Sequence, residues 1–487
     1  MPQLGVDFKA TLGGLFGSVI LYHVCIIIYR IFFSNVAKFP GPKLAAATSW
    51  YEAFFDLRSS NFPDVLERLH DKYANSSGGP IIRINPWELS IRDAEFYNEV
   101  YVPAGKWRTE LISKNRAGLG ISDAISTTSS HKLHQLRRKA VENFFSRQNV
   151  TRMEARIHEE ARSLDEKLRL LAGTRALVHL DHAFDCAARD LAALHESVMG
   201  ILAMVPYLRG LPWINSVLKL VPMSLLQKPN PRAAGFQMFH VLSKRRIEEV
   251  KSDLSSKTKL EESNKTSIFR HILQSNLPES EKDSARLQRE EFVLLAAGTI
   301  TTSSTLSIIT YYVLADPAIE NQLREDLKYV TSGFPQRVLH WTGLEKIPYL
   351  MACIKEGLRR SPRISPDCDI QYKQWTILKN TPVGMSVCHL HMDPEVYPEP
   401  YKFIPERWIG DVDSLVNRNC VPFLKGSRNC LGMNLAWAEM YIVLGLLFRP
   451  GGHRMSLDCD ESDIVLIRDS DVGIPKPDSR GLRVRFE

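Results

Sequence analysis

Apolar positions are spread unevenly along the chain, and the densest cluster comes first: Thr11 to Phe33 reads TLGGLFGSVILYHVCIIIYRIFF. Its apolar part, Leu12–Ile28, is 17 residues long with His23 as the awkward member, at the low end of the roughly 17–25 residues that cross a bilayer as a helix. Phe32 and Phe33 extend it, and Arg30 can snorkel toward lipid headgroups. The run exceeds the ~7–15 apolar residues of a cleaved signal peptide, and no small-residue cleavage site follows. Instead comes Lys38-Phe-Pro-Gly-Pro-Lys43, which cannot continue a helix and turns the chain sharply. Lys9 alone flanks one end, against Arg30, Lys38 and Lys43 at the other. That asymmetry places the body in the cytoplasm. The pattern therefore predicts an anchor over 1–33, a proline-rich hinge over 34–43 and one body over 44–487.

Within the body, helical periodicity dominates, with long patterns over Arg152–Leu171, Met238–Lys251 and Phe292–Ala315. Strand signals are short: Ile81–Ile84, Glu88–Ile91, Trp375–Leu378 and Val383–His389. Two polar stretches, Ser252–Ser267 and Ser275–Glu290, read as linkers that flank helices without separating domains. The expected fold class is mostly α with small β-sheets, an α+β body behind an N-terminal membrane anchor helix.

Composition narrows this further. Of 487 residues, 44% are apolar and 24% charged, which excludes a disordered chain, a collagen-like chain and a multi-span membrane protein. Lys plus Arg is 62 against 55 acidic residues, a net +7. Over this length the surplus argues for no nucleic-acid partner, while a basic docking face stays open. Eight cysteines, at 25, 186, 353, 368, 388, 420, 430 and 459, include no C-x-x-C pair. They suggest neither a zinc ribbon nor a disulfide framework, and reduced thiols facing the cytosol are the simplest account.

One cysteine stands apart. Phe423-Leu-Lys-Gly426-Ser-Arg428-Asn-Cys430-Leu-Gly432 precedes the helical pattern MNLAWAEMYIVLGLLF. A thiolate just before a helix is stabilised by the helix dipole and by free backbone amides. Gly426 and Gly432 permit tight turns and close approach of a flat cofactor. Arg428 can reach an anionic cofactor group and offset the thiolate's charge. Such a loop suits an axial ligand of haem iron, where a thiolate donates electron density. A single cysteine is more often a buried structural residue, but here the whole spacing F-x-x-G-x-R-x-C-x-G is matched. On these residues the chain resembles the cytochrome P450 family of haem-thiolate monooxygenases, from about Asn35 to the C-terminus.

The resemblance carries further residues with it. Glu356-Gly-Leu-Arg359 matches the family's E-x-x-R on a helical stretch, Tyr349–Arg360. Pro405-Glu-Arg407-Trp408 resembles the run that completes a buried network. Glu356, Arg359 and Arg407 would then hold the cysteine loop, a structural role. His134-Gln-Leu-Arg137-Arg138 falls where the family carries W-x-x-x-R, so Arg138 becomes a partner for a haem propionate and His134 replaces the tryptophan. His131 with His134, and His389 with His391 on one strand face, have metal-ligand spacing but no companion ligands. Ala297-Gly-Thr-Ile300-Thr301-Thr302 matches A-G-x-(D/E)-T-(T/S) except that Ile300 takes the acid's place. Thr301 is the expected catalytic hydroxyl. Against the family, the stretches 183–199 and 359–363 are short.

What the resemblance implies is a microsomal, eukaryotic enzyme like the fungal secondary-metabolism members of the trichodiene-oxygenase-like group. It would be single-pass in the endoplasmic reticulum membrane, with its catalytic domain cytoplasmic. Haem b would sit on the Cys430 thiolate, lined by Phe423, Gly426, Arg428 and Gly432. NADPH–cytochrome P450 reductase would supply electrons through a face bearing Arg137, Arg138, Lys139 and Lys425. The expected reaction is insertion of one oxygen atom from O2 into a lipophilic terpenoid or polyketide intermediate. A reductase-independent haem-thiolate isomerase or dehydratase, and a non-catalytic haem-binding relic, are the alternatives.

Overall fold

Long apolar stripes on several helices have to be buried against one another, and that requirement builds the body. The computed structural model describes residues 8–59, 62–74, 80–101, 110, 123–185, 198–200, 202, 204–207, 210–211, 231–256, 267–360, 370–378, 381–469 and 473–487. Seven helices place the site: α1 (Phe8–Ile28), α2 (His131–Lys139), α3 (Arg147–Arg169), α4 (Ser284–Ala315), α5 (Pro348–Arg359), α6 (Val387–His391) and α7 (Met433–Leu447).

The central element is α4, 32 residues long and so about 48 Å from end to end. Asp283 starts it by accepting from the Ala285 and Arg286 amides at 3.0 and 3.1 Å. Asp316 ends it in an extended conformation and caps the next helix, Pro317–Thr331, in which Pro317 occupies the first turn. Helix α4 packs on α5 and α7. Leu306, Ile309 and Val313 meet Leu350, Ile354, Leu444 and Leu447 in the largest core cluster. Gly357 of α5 marks the closest approach, since a Cβ there would lie 2.2 Å from Ile309 Cγ1.

The sheets are small. Ile81–Arg83 pairs antiparallel with Leu89–Ile91, which pairs parallel with Val383–Gly384. The C-terminal strand Arg483–Phe486 lies between Leu177–His179 and Met455–Leu457. Two short hairpins complete the set among the described residues.

Three expectations need correction. The strand over Val383–His389 stops at Gly384, and Val387–His391 is a helix. Val387, Leu390 and His391 are buried there, so the i, i+3, i+4 burial period overrode the alternating pattern. His389 and His391 therefore do not share a strand face: His389 meets the His70 ring edge-on at 5.9 Å, while His391 turns elsewhere. Second, the linker expected over Ser275–Glu290 already contains the first turns of α4. Buried Arg286 and Glu290 pair there at 3.2 Å, which gives this polar stretch a partner inside the fold. Third, Arg30 turns its guanidinium toward the body of the protein. It donates to Ala47 O at 3.0 Å, and Arg83 donates to Arg30 O at 2.9 Å.

Helix α1 and the single π turn Tyr29–Phe33 that follows it stand with their apolar side chains exposed, and the helix is long and apolar enough to cross a membrane. Residues 34–43 form a packed corner. Val36 and Phe39 are buried, and Pro40 O accepts from Arg83 N at 2.6 Å. A Cβ on Gly41 would come within 2.3 Å of Arg83 O.

Candidate active site

The cysteine loop is built by its own backbone. Leu424 and Gly426 adopt positive φ, 59° and 76°. A single 3-10 turn over Gly426–Arg428 follows, and Cys430 N donates to Phe423 O at 2.8 Å. Gly432 then caps α7, leaving the free amides of its first turn beside the cysteine. Cys430 forms no disulfide and is exposed, although its loop leads directly into a core helix.

Room adjoins that thiol. A Cβ added to Gly432 would meet nothing within 4 Å, and the same holds for Gly298 in mid-α4. Ala297 and Gly298 are the exposed residues in the middle of α4, with half-buried or buried residues on either side, and α4 packs on α7. An exposed thiol, open glycines and a bare helix segment fit a flat cofactor.

Positive charge converges on the loop. Arg138 donates to Asn429 O and Oδ1 at 2.7 and 2.8 Å. Arg428 donates to the Thr128 and Ser129 carbonyls at 2.7 Å each. Burial lowers the Arg138 pKa, with nearby Glu142 and then Cys430 acting the other way. Burial and the two arginines push His134 down to about 3 and keep it neutral. Sequence reading placed Arg137 on a docking face, but it is buried. It donates to both Glu281 oxygens at 2.7 and 3.1 Å, a pairing that compensates its loss of water. Lys425 donates to Arg418 O and to Asn98 Oδ1. Of the four basic residues named for that face, only Lys139 is exposed. Among the described residues no three potential metal ligands cluster.

Glu356, Arg359 and Arg407 do come together. Arg359 pairs with Glu356 through Nε at 3.0 Å and Nη2 at 2.8 Å, both side chains fully buried. Arg407 Nε reaches Glu356 Oε1 at 3.2 Å. Two members were missed by sequence reasoning. Trp408 Nε1 donates to Glu356 Oε2 at 2.9 Å, which its place beside Arg407 could have suggested. Arg359 Nη1 donates to His391 O at 2.7 Å, and the His391 ring accepts from Val421 N at 2.9 Å. No sequence signal pointed to that link.

On α4, Thr301 Oγ1 donates to Ala297 O at 2.6 Å, and Ile300 is buried against Phe292 and Val198. The neighbouring Thr302 hydroxyl serves Glu439 of α7, whose carboxyl burial pushes up to about 7. Glu439 went unnoticed because one acid in an apolar helix looks like a solvated position. Most of the short stretch 183–199, and residues 361–363 of the other, lie outside the described residues.

A glycine-flanked thiol at the start of a core helix, within a mostly helical body that also holds a buried Glu–Arg–Arg network, is the arrangement of the haem-thiolate class. The chain belongs to the cytochrome P450 family, whose model matches residues 48–450. It is 40% identical to a cytochrome P450 monooxygenase, sdnH, of Sordaria araneosa, over 96% of this chain and 94% of that one. Stellatic acid synthase of Emericella variicolor is 40% identical, over 95% and 93% of the two chains. Fusicoccadiene C-8 hydroxylase of Phomopsis amygdali is 37% identical over the same shares. The protein is thus a monooxygenase of fungal secondary-metabolism type, and membership implies a haem held by a cysteine thiolate.

Proposed function

We propose that the protein inserts one oxygen atom from O2 into a lipophilic secondary metabolite, a terpenoid or polyketide intermediate. Electrons come from NADPH through a membrane-bound reductase, and the enzyme sits in the endoplasmic reticulum membrane with its body in the cytoplasm. The observation that carries this reading is Cys430: an exposed thiol inside the body, at the start of α7, with Arg138 and Arg428 beside it.

Haem bound on the Cys430 thiolate supplies the oxygen chemistry. The chain's own residues do the rest. Gly426 and Gly432 let the backbone lie close to a flat ring, and Phe423 closes the loop through its carbonyl to Cys430 N. Arg138 and Arg428 hold the loop now and carry the charge to hold carboxylates of the cofactor. Glu356, Arg359 and Arg407 brace the loop from behind. Thr301 Oγ1, bonded back to Ala297 O, holds a proton next to the bare stretch of α4. Turning the hydroxyl from that carbonyl toward the opening moves the proton to the reacting site, with ordered water completing the relay. Ile300 excludes the acid that would share this task.

That substitution is also what favours a second reading, a haem-thiolate isomerase or dehydratase that needs no reductase and no delivered protons. NADPH consumption with added reductase separates the two. The thiolate assignment is tested by the carbon-monoxide difference spectrum of reduced protein. Cys430→Ala is expected to abolish the thiolate-type band, while Cys420→Ala keeps it; a Cys430→Ala protein with the wild-type band overturns the assignment.

A further inference from the structure

His391 has no part in the relay, touches no opening, and is fully buried. Yet it joins two features that are far apart in sequence. Its backbone oxygen accepts from Arg359 Nη1 at 2.7 Å, and its ring Nε2 accepts from the Val421 amide at 2.9 Å. Val421 O in turn accepts from Leu424 N at 3.0 Å, Leu424 takes its positive φ of 59°, and Phe423 O accepts from Cys430 N at 2.8 Å. A continuous series of hydrogen bonds and backbone thus runs from the Glu356–Arg359 pair through one imidazole to the cysteine.

We propose that His391 is a positioning residue for the cysteine ligand: its neutral imidazole holds the Val421 amide and so sets the backbone that presents Cys430. The proposal rests on the haem-thiolate reading of Cys430. Only a neutral ring with its proton on Nδ1 can accept at Nε2. Burial, with the Arg359 charge assisting, pushes the ring down to about 3, which keeps it neutral under ordinary conditions. Tyr397 meets the ring edge-on at 6.4 Å, and the buried Nδ1 makes no hydrogen bond, so Nε2 is the ring's one hydrogen-bonding contact among the described residues. Losing the acceptor leaves a buried N–H unpaired at the entrance of the loop. Val421 and Leu424 pack together in one apolar cluster, and Leu424 N donates to Val421 O at 3.0 Å, so a shift of Val421 is carried into the loop that presents Cys430.

The test compares full-length haem-loaded wild type with His391→Leu, which keeps bulk without an acceptor, and with His391→Gln, whose amide oxygen reaches the Nε2 position. His391→Asn, too short to reach Val421, is a second loss variant should the leucine fail to fold. Two quantities are read: the fraction of bound haem showing the thiolate-type carbon-monoxide band, and amide hydrogen exchange of the segment 415–430. The loss variants are expected to bind haem with a several-fold smaller thiolate fraction. Exchange of 415–430 is expected to quicken by about tenfold or more, while 433–447 stays protected. Glutamine is expected to restore both. A loss variant with wild-type spectrum and exchange overturns the proposal, as does a glutamine variant indistinguishable from it. If wild type itself lacks the thiolate band, the haem-thiolate reading fails, and the exchange comparison still reports whether His391 holds Val421.

Discussion

At the residue scale, spacing betrays groups whose partners are close in sequence or belong to a motif, and hides the rest. Glu356 and Arg359 are one helical turn apart, so their pairing was legible. Arg407 joined them only through its motif. His391 and Glu439 were invisible because each acts on a partner set by packing, and only its place beside Arg407 hinted at Trp408. Glu439 has a measurable consequence. Its carboxyl is raised to about 7 by burial, so the folded state prefers the proton. The stability this contributes is present below about pH 4.5 and is lost as pH rises through 7. Glu439→Gln, which keeps an acceptor for Thr302, is expected to match wild type at pH 5. At pH 8 it is expected to be more stable by on the order of 1–3 kcal/mol. Urea unfolding at the two pH values checks it, and equal stability at both sinks the burial argument.

Helices were easier to read from sequence than strands, because a 3.6 period repeated over many residues outweighs local exceptions. The reading found the cores of α3, α4 and α5, placed α5 to within a residue and ended α4 at Ala315, but it started α3 and α4 too late, because Ser146 and Asp283 cap before the apolar pattern begins. It failed at Val383–His391, where nine residues hold too few repeats to decide between periods of 2 and 3.6. It also passed over Gly357, since a glycine inside a helix shows its reason only when a second helix is in place. Gly357→Ala is expected to drive a methyl into Ile309, part α5 from α4, and cost about 1–3 kcal/mol. Thermal unfolding reads this, and because Ile309→Ala alone costs about 2–5 kcal/mol, the double variant is expected to lose less than the sum of the two single losses. Strict additivity would mean that the crowding lies elsewhere.

For the whole molecule, the N-terminal apolar helix and the body are joined more firmly than a proline-rich corner suggests. Arg83 is buried, with burial and Arg30 lowering its pKa to about 10, and it donates to carbonyls of Arg30, Asn85, Ala46 and Pro86. Deleting residues 1–28 or 1–33 is expected to release much of the protein from microsomes in either case. The longer deletion also removes the Arg30 carbonyl and guanidinium, and is expected to be less stable by about 1–3 kcal/mol. Equal melting of the two truncated proteins would mean that the Arg30 contacts contribute nothing. By itself the sequence determined what depends on neighbours along the chain: the apolar anchor, the helical stripes, the glycine-flanked cysteine and the residue types of the Glu–Arg pair. Those follow from local periodicity and from side-chain chemistry at fixed spacing. Tertiary structure alone decided that Arg137 is buried and unavailable, that Arg30 faces the body, and that His391 reaches the cysteine loop. These outcomes depend on which surfaces exclude water together, and no spacing along a chain encodes that.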